Sequence, residues 1–150
     1  MSDILREIGI IARALSSISN IEFKDINLNK GQYLFLSRIA ENPGIINDDL
    51  AELTKVDRTV VAKSVKKLEN EGFIVKENDP DNRKIRHLFL TDKGTQAYDY
   101  LTREENYSEQ QALLHVSEIE QQQLLGILKK ISQNVAADWD YVKKGNKRNY

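Results

Sequence analysis

Between Arg58 and Lys67 the chain sets out Arg58, Thr59, Val60, Lys63, Lys66 and Lys67, a group of cations and hydrogen-bond donors in one short segment. On a helix, at ~100° per residue, Thr59, Lys63, Lys66 and Asn70 fall on one face, with Val60 and Lys67 at its edge. Such a stripe matches duplex DNA, whose base edges offer acceptors in the major groove and whose phosphates offer negative charge. Thr59 and Lys63 are the candidates for base edges, while Arg58, Lys66 and Lys67 are suited to neutralise phosphates and set register. Val60 could meet a thymine methyl, or equally form a rim of the core. A solvated helix face would carry the same charges, so the surrounding elements have to decide.

Those elements are legible from periodicity. Asp57 can cap the helix that bears the stripe and Gly72 can end it, with Val61, Val65 and Leu68 forming its inward face at i, i+4 and i+7. A shorter helix precedes it, with Asn47 as a fair N-cap, Asp48 and Asp49 favoured by the positive helix end, and Leu50 and Leu53 facing inward around Ala51. Thr54-Lys55-Val56 makes the turn between them. A short helix, a tight turn and a second helix with a basic stripe form the helix-turn-helix pattern that fits the major groove. After Gly72, Phe73-Ile74-Val75 and Ile85 to Leu90 are strand-like, and Glu77 to Lys84, rich in Asn and Asp, is turn-like. The result is a hairpin, or wing, carrying Arg83, Lys84 and Arg86 as further candidate DNA contacts.

Longer helices flank this unit. Ile4, Ile8, Ile11, Leu15 and Ile18 recur at helical spacing to about Asn20, and Tyr33, Leu34, Leu36, Ile39 and Ala40 predict a second helix closed by Asn42-Pro43-Gly44. Thr91-Asp92-Lys93 opens a helix bearing Ala97, Tyr98 and Leu101, followed by a less regular stretch to Val116 and a last helix with Ile119, Leu124, Leu128, Ile131 and Val135. The fold class is therefore mainly α with a small β-hairpin wing (α+β). A winged helix-turn-helix core at about residues 30–94 lies between dimerisation helices at about 2–20 and 95–142, with a basic tail at 143–150, all in one domain. The helices outside the core have more apolar stripe than one small core needs, which favours a homodimer.

A net charge of −1 fits a nucleic-acid binder only because of how it is distributed. Residues 55–95 hold ten basic and seven acidic side chains, a net of +3, and the tail from Lys143 to Tyr150 adds +4. Residues 1–54 and 96–142 are acidic, at −3 and −5. The tail's Lys143, Lys144, Lys147 and Arg148 could touch phosphates, with solvated disorder as the default.

With no cysteine, disulfides, cysteine-ligated metals and thiol redox sensing are excluded, and two histidines alone cannot build a metal cage. No cofactor is expected. The N-terminus lacks a secretory pattern and no apolar run approaches the ~20 residues of a membrane span, so a cytoplasmic protein is expected. His87, in the second wing strand, and His115 could sense pH or bind a ligand, but with no carboxylate cluster at metal-ligand spacing, ordinary structural or surface roles are the better reading. Tyr98, Tyr100 and Tyr107 could line an effector pocket, although core and interface packing fits them better.

From about Leu28 to Gly94 the pattern resembles the MarR family of bacterial transcription regulators. The matching stretches are Leu50-Ala51-Glu52-Leu53, Val56-Asp57-Arg58-Thr59-Val60-Val61, Leu68-Glu69-Asn70-Glu71-Gly72-Phe73-Ile74, Asp79-Pro80-Asp81-Asn82-Arg83-Lys84 and Leu90-Thr91-Asp92-Lys93-Gly94. Each is weak alone; their order and spacing make the resemblance. It implies an obligate homodimer held by the first and last two helices, on a pseudo-palindrome whose half-sites lie about 34–36 Å apart. It also implies an arginine at the wing tip that enters the minor groove, supported by an aspartate two residues earlier. Counting back from Thr91 places Asn82 and Lys84 there; sliding the hairpin by one residue gives Asp81 and Arg83 instead. The minor-groove reader is Arg83 or Lys84, and the planar guanidinium favours Arg83.

The leading expectation is a sequence-specific DNA-binding regulator, a repressor or dual regulator, released by a small aromatic or anionic effector as the family implies. The acidic flanks also permit a winged-helix module that binds protein, against which the Thr59, Lys63 and Lys66 stripe argues. An enzyme is disfavoured, since no Gly-rich phosphate loop, nucleophile elbow or acid–base pair is present.

Overall fold

The computed structural model of the chain describes residues 2–150. Six helices and one hairpin follow in the order α1 (Asp3–Glu22), α2 (Gln32–Glu41), α3 (Asn47–Thr54), α4 (Arg58–Asn70), β1 (Ile74–Asn78), β2 (Arg86–Leu90), α5 (Asp92–Ala112) and α6 (Glu118–Lys143). The chain adopts the expected mainly α fold with a small β wing. It forms two compact units, and their boundary falls within α5, after Ser108.

In the first unit, α2, α3, α4, the hairpin and the start of α5 enclose one core. Leu36, Ile39, Leu50, Val61, Val65, Leu88 and Leu101 are fully buried there, together with Phe23 and Leu28 from the segment after α1. Burial of each such side chain is worth about 1.5–3 kcal/mol. The inward face of α4 is the predicted one, with Val61, Val65 and Leu68 buried. Asp57 caps this helix, accepting the Thr59 N–H at 2.8 Å.

Three local expectations change. Leu53 is 49% exposed; with Leu50 and Ala51 both inward, Leu53 points about 110° away from their bisector and Thr54 takes the inward place. Asn47 is the first residue of α3 rather than its cap: Ile46 holds the N-cap position, and no side chain caps it. Strand β1 extends further into the Asn/Asp-rich stretch than its composition indicated, reaching Asn78, while β2 begins at Arg86 rather than Ile85.

The hairpin is antiparallel, in register from Ile74 opposite Leu90 to Asn78 opposite Arg86. The α2–α3 corner joins its other edge, where the Gly44 N–H donates to the Leu88 carbonyl at 2.8 Å and the Leu88 N–H donates to the Ile45 carbonyl at 2.9 Å. The entry to α5 is pinned as well. Thr91 caps it by accepting the Gly94 N–H at 3.1 Å while its hydroxyl donates to the Gly72 carbonyl at 2.6 Å, and the Lys93 ammonium donates to the Glu71 carbonyl at 2.6 Å.

Helix α1 has no buried residue, although Ile4, Ile11 and Ile18 are apolar and exposed. In the second unit, α6 opens with a capping box between Ser117 and Glu120 and likewise buries none of its residues, leaving Leu124, Leu125 and Val135 exposed. No described helix is long and apolar enough to cross a membrane.

Candidate nucleic-acid interface

The helix-turn-helix is built around a non-glycine residue in the left-handed region. Lys55 ends α3 with φ +55°, and the Val56 N–H returns to the Ala51 carbonyl at 3.3 Å. That reversal starts α4 immediately after α3. Burial of Val61, Ser64, Val65 and Leu68 then fixes the rotation of α4, which turns its opposite face outward. Arg58, Thr59, Val60, Lys63 and Lys66 are all exposed, and Lys67 is half-buried at the edge.

The electrostatics of this face differ from residue to residue. The Arg58 guanidinium lies 3.6 Å from the Asp48 carboxylate of α3, an exposed contact of small energetic weight. Lys63, Lys66 and Lys67 have no carboxylate partner among the described residues. Val60 is 49% exposed, so it is not enclosed in the core.

The wing presents the second set. Arg83, Lys84 and Arg86 are exposed, again without carboxylate partners among the described residues. An Asp81–Arg83 ion pair is not formed. The side-chain link runs from Asn82, whose Oδ1 accepts the Lys84 N–H at 3.0 Å, the ungapped pair of positions. Asp79 folds the turn, its Oδ1 accepting the N–H groups of Asp81 and Asn82, both at 2.9 Å.

Sequence reasoning assigned no task to the other side of that carboxylate. Asp79 Oδ2 lies 2.8 Å from His87 Nε2, and His87 Nδ1 lies 2.7 Å from the Gly44 carbonyl. The hydrogen bond to Asp79, then that to Gly44, raises the His87 pKa above its ordinary 6.5. The bond from His87, then the Asp81 N–H, lowers the Asp79 pKa below its ordinary 3.8. The sequence carried half of this signal, because Asp-Pro-Asp-Asn is a turn-forming run. The other half joins Gly44 to residue 87, too far along the chain for any local pattern.

Of the three tyrosines, Tyr100 packs edge-on against Phe23, with ring centroids 5.9 Å apart. It also lines a cavity of about 440 Å³ with Ile26, Phe73 and Lys93. Tyr98 is half-buried and Tyr107 exposed, and neither lines that cavity. His115 takes φ +64° in the turn between α5 and α6. The basic tail is partly tied down: Arg148 reaches Asp138 at 3.1 Å and Lys143 reaches Asp140 at 2.9 Å. Among the described residues, no three His, Asp or Glu side chains are grouped to hold a metal ion.

The model of the family described as MarR matches residues 28–85, which span the helix-turn-helix and most of the wing. Over all 150 residues of both chains, the protein is 55% identical to a Bacillus subtilis (strain 168) relative described as the uncharacterized HTH-type transcriptional regulator YybA. A Listeria monocytogenes protein described as a MarR family transcriptional regulator, solved with a 26mer DNA, is 52% identical over 100% of both chains, with a TM-score of 0.97. A structure of the transcriptional regulator SlyA is 52% identical, covers 94% of this chain and 99% of that one, and gives a TM-score of 0.90. Agreement that extends from the basic helix and its wing to both flanking segments has one meaning: the chain belongs to the MarR family of winged helix-turn-helix transcriptional regulators.

Proposed function

We propose that the protein is a sequence-specific DNA-binding repressor that works as a homodimer on a pseudo-palindromic operator. The observation that carries this reading is the outward face of α4, where Lys63, Lys66 and Lys67 stand without a carboxylate partner among the described residues, beside the exposed Thr59. Cations left unneutralised by the fold are available to replace the counterions of DNA. The complex of the Listeria relative with DNA supports the same use of the same fold.

In the proposed complex α4 enters the major groove, with Thr59 and Lys63 at base edges, Val60 against a thymine methyl, and Arg58, Lys66 and Lys67 on phosphates. The wing follows the adjacent backbone, with Arg86 on phosphate and Arg83, by its guanidinium, preferred over Lys84 as minor-groove reader. The dimer is inferred from α1 and α6, each of which leaves most of its large apolar residues exposed. Repression follows if two such units, half-sites about 34–36 Å apart, occlude a promoter.

A small aromatic or anionic effector is a further part of this reading. The Phe73, Lys93 and Tyr100 cavity, at about 440 Å³, has the size and mixed lining of a small-molecule site. Such a ligand would release DNA only by favouring a dimer spacing that fits the operator less well.

Selection from randomised duplex DNA, followed by sequencing of bound molecules, tests the function directly. A pseudo-palindrome should be enriched, and Lys63→Ala should relax the preference at one position in each half-site. An absence of enrichment at low salt would replace this reading with that of a protein-binding winged helix.

A further inference from the structure

Two acceptors face the two nitrogens of one imidazole in the wing. His87 Nδ1 is 2.7 Å from the Gly44 carbonyl and Nε2 is 2.8 Å from Asp79 Oδ2. Neither a carbonyl nor a carboxylate has a proton to give, so both contacts are hydrogen bonds only when both ring nitrogens carry hydrogen. We propose that His87 is a positioning residue that, as an imidazolium, locks the wing turn to the α2–α3 corner, and that loss of its proton loosens this lock and weakens DNA binding.

The mechanical link is short. Asp79 folds the turn that displays Arg83 and Lys84, through its bonds to the Asp81 and Asn82 N–H groups. Gly44 belongs to the corner that leads into α3, and it is already bonded to Leu88 of β2. His87 therefore connects the wing tip to the body that carries α4. In the neutral ring one nitrogen presents a lone pair to an acceptor, and a charge-assisted bond becomes a repulsive contact.

The charges around the ring favour the proton. Asp79 of the turn and Glu77 of β1 face it, and both are acidic. The α2–α3 corner, residues 42–46, contributes no ionisable side chain. The charged residues of α2, which packs on β2, are Arg38 and Glu41, and these pair with each other at 2.7 Å. The hydrogen bonds to Asp79 and then Gly44, with the charges of Asp79 and Glu77 as a smaller addition, raise the His87 pKa and place the transition above 6.5. DNA that holds the locked wing raises it further, so affinity is full below the free protein's value and falls as pH rises through it.

This inference rests on the proposed DNA reading only for its effect on affinity; the lock itself can be tested without DNA. Two imidazoles, His87 and His115, are to be resolved by NMR titration of the full chain. The His87 pKa should lie above 6.5 and drop in Asp79→Asn, because the carboxamide introduced there would donate to Nε2 and suit the neutral ring. A His87 value at or below 6.5, or one unmoved by Asp79→Asn, overturns the lock. Binding of a randomised 26-base-pair duplex pool, the length used with the Listeria relative, is then followed by anisotropy from about pH 6 to 9 at fixed ionic strength. The wild type should weaken roughly three- to tenfold across the His87 transition, while His87→Gln stays flat and His115→Gln behaves as wild type. Equal pH slopes for wild type and His87→Gln overturn the coupling to DNA. An absence of binding at any pH at low salt rejects the DNA reading and the coupling, while the titration still decides the lock.

Discussion

Gly94 approaches the Phe73 carbonyl so closely that a Cβ on it would stand 2.0 Å from the oxygen. The same carbonyl accepts the Thr91 N–H at 3.0 Å, so it cannot withdraw without breaking the junction between wing and α5. Gly94→Ala should therefore cost about 1–3 kcal/mol, at the upper end because the obstacle is backbone. Thermal or denaturant unfolding of the variant would show it, and a melting temperature equal to wild type would mean that the approach is looser than described.

On the α4 face, Lys63→Ala should lose about 1–3 kcal/mol of binding to its preferred sequence and little to random duplex. Lys66→Ala and Lys67→Ala should weaken all sequences alike and reduce the slope of log affinity against log salt by about 1 per subunit. Salt titrations on one selected duplex and one scrambled duplex separate the two behaviours.

At the wing, Arg83→Ala should reduce the preference for A·T-rich flanks more than Lys84→Ala does, because a guanidinium suits a narrow minor groove better than a hydrated ammonium. Binding to duplexes that differ only in their flanks measures this. The reverse order would assign the groove to Lys84, the residue whose N–H bonds to Asn82.

The Asp79–His87 pair gives stability a pH window. His87, with its pKa raised, contributes fully below 6.5 and progressively less as pH rises through its folded value. Asp79, with its pKa lowered, contributes fully above 3.8 and loses its contribution as pH falls through its folded value. The difference in melting temperature between wild type and His87→Gln should thus be widest from pH 3.8 to 6.5 and shrink toward alkaline pH. A difference independent of pH would rule out a titrating bridge.

If α1 and α6 are covered by a second copy, a charge on either stripe should separate the subunits. Ile11→Glu and Leu128→Glu replace exposed apolar residues, so neither disturbs the core of the isolated chain. Sedimentation should show dimers for the wild type and monomers for both variants at the same concentration, with helical circular dichroism unchanged. A monomeric wild type would remove the homodimer from the proposed function.

Much of the fold was legible because its signals are local. The spacing of Val61, Val65 and Leu68 set the rotation of α4, and that rotation alone turned Thr59, Lys63 and Lys66 outward. Asp57 capped its helix as a short polar side chain before a helix does. Gly94 was visible as part of Leu-Thr-Asp-Lys-Gly, although the reason for a glycine, an approaching carbonyl, was not.

Where local signals competed, the expectation failed. Leu53 has the composition of a core residue, but at ~100° per residue Leu50, Ala51 and Leu53 spread over about 160° of the helix, and the core took the first two. Asn47 is a good capping residue that sits one position too late.

The sequence by itself determined which faces are apolar, which are basic and where the chain must turn, since periodicity, charge and backbone preference act between near neighbours. Only the tertiary structure decided that Gly44 and Asp79 would meet on opposite sides of the His87 ring. It also decided that, among the described residues, Lys63, Lys66 and Lys67 would stand without carboxylate partners while Arg58 found Asp48. Those outcomes depend on distances between segments remote in sequence, which are set by how the whole core packs.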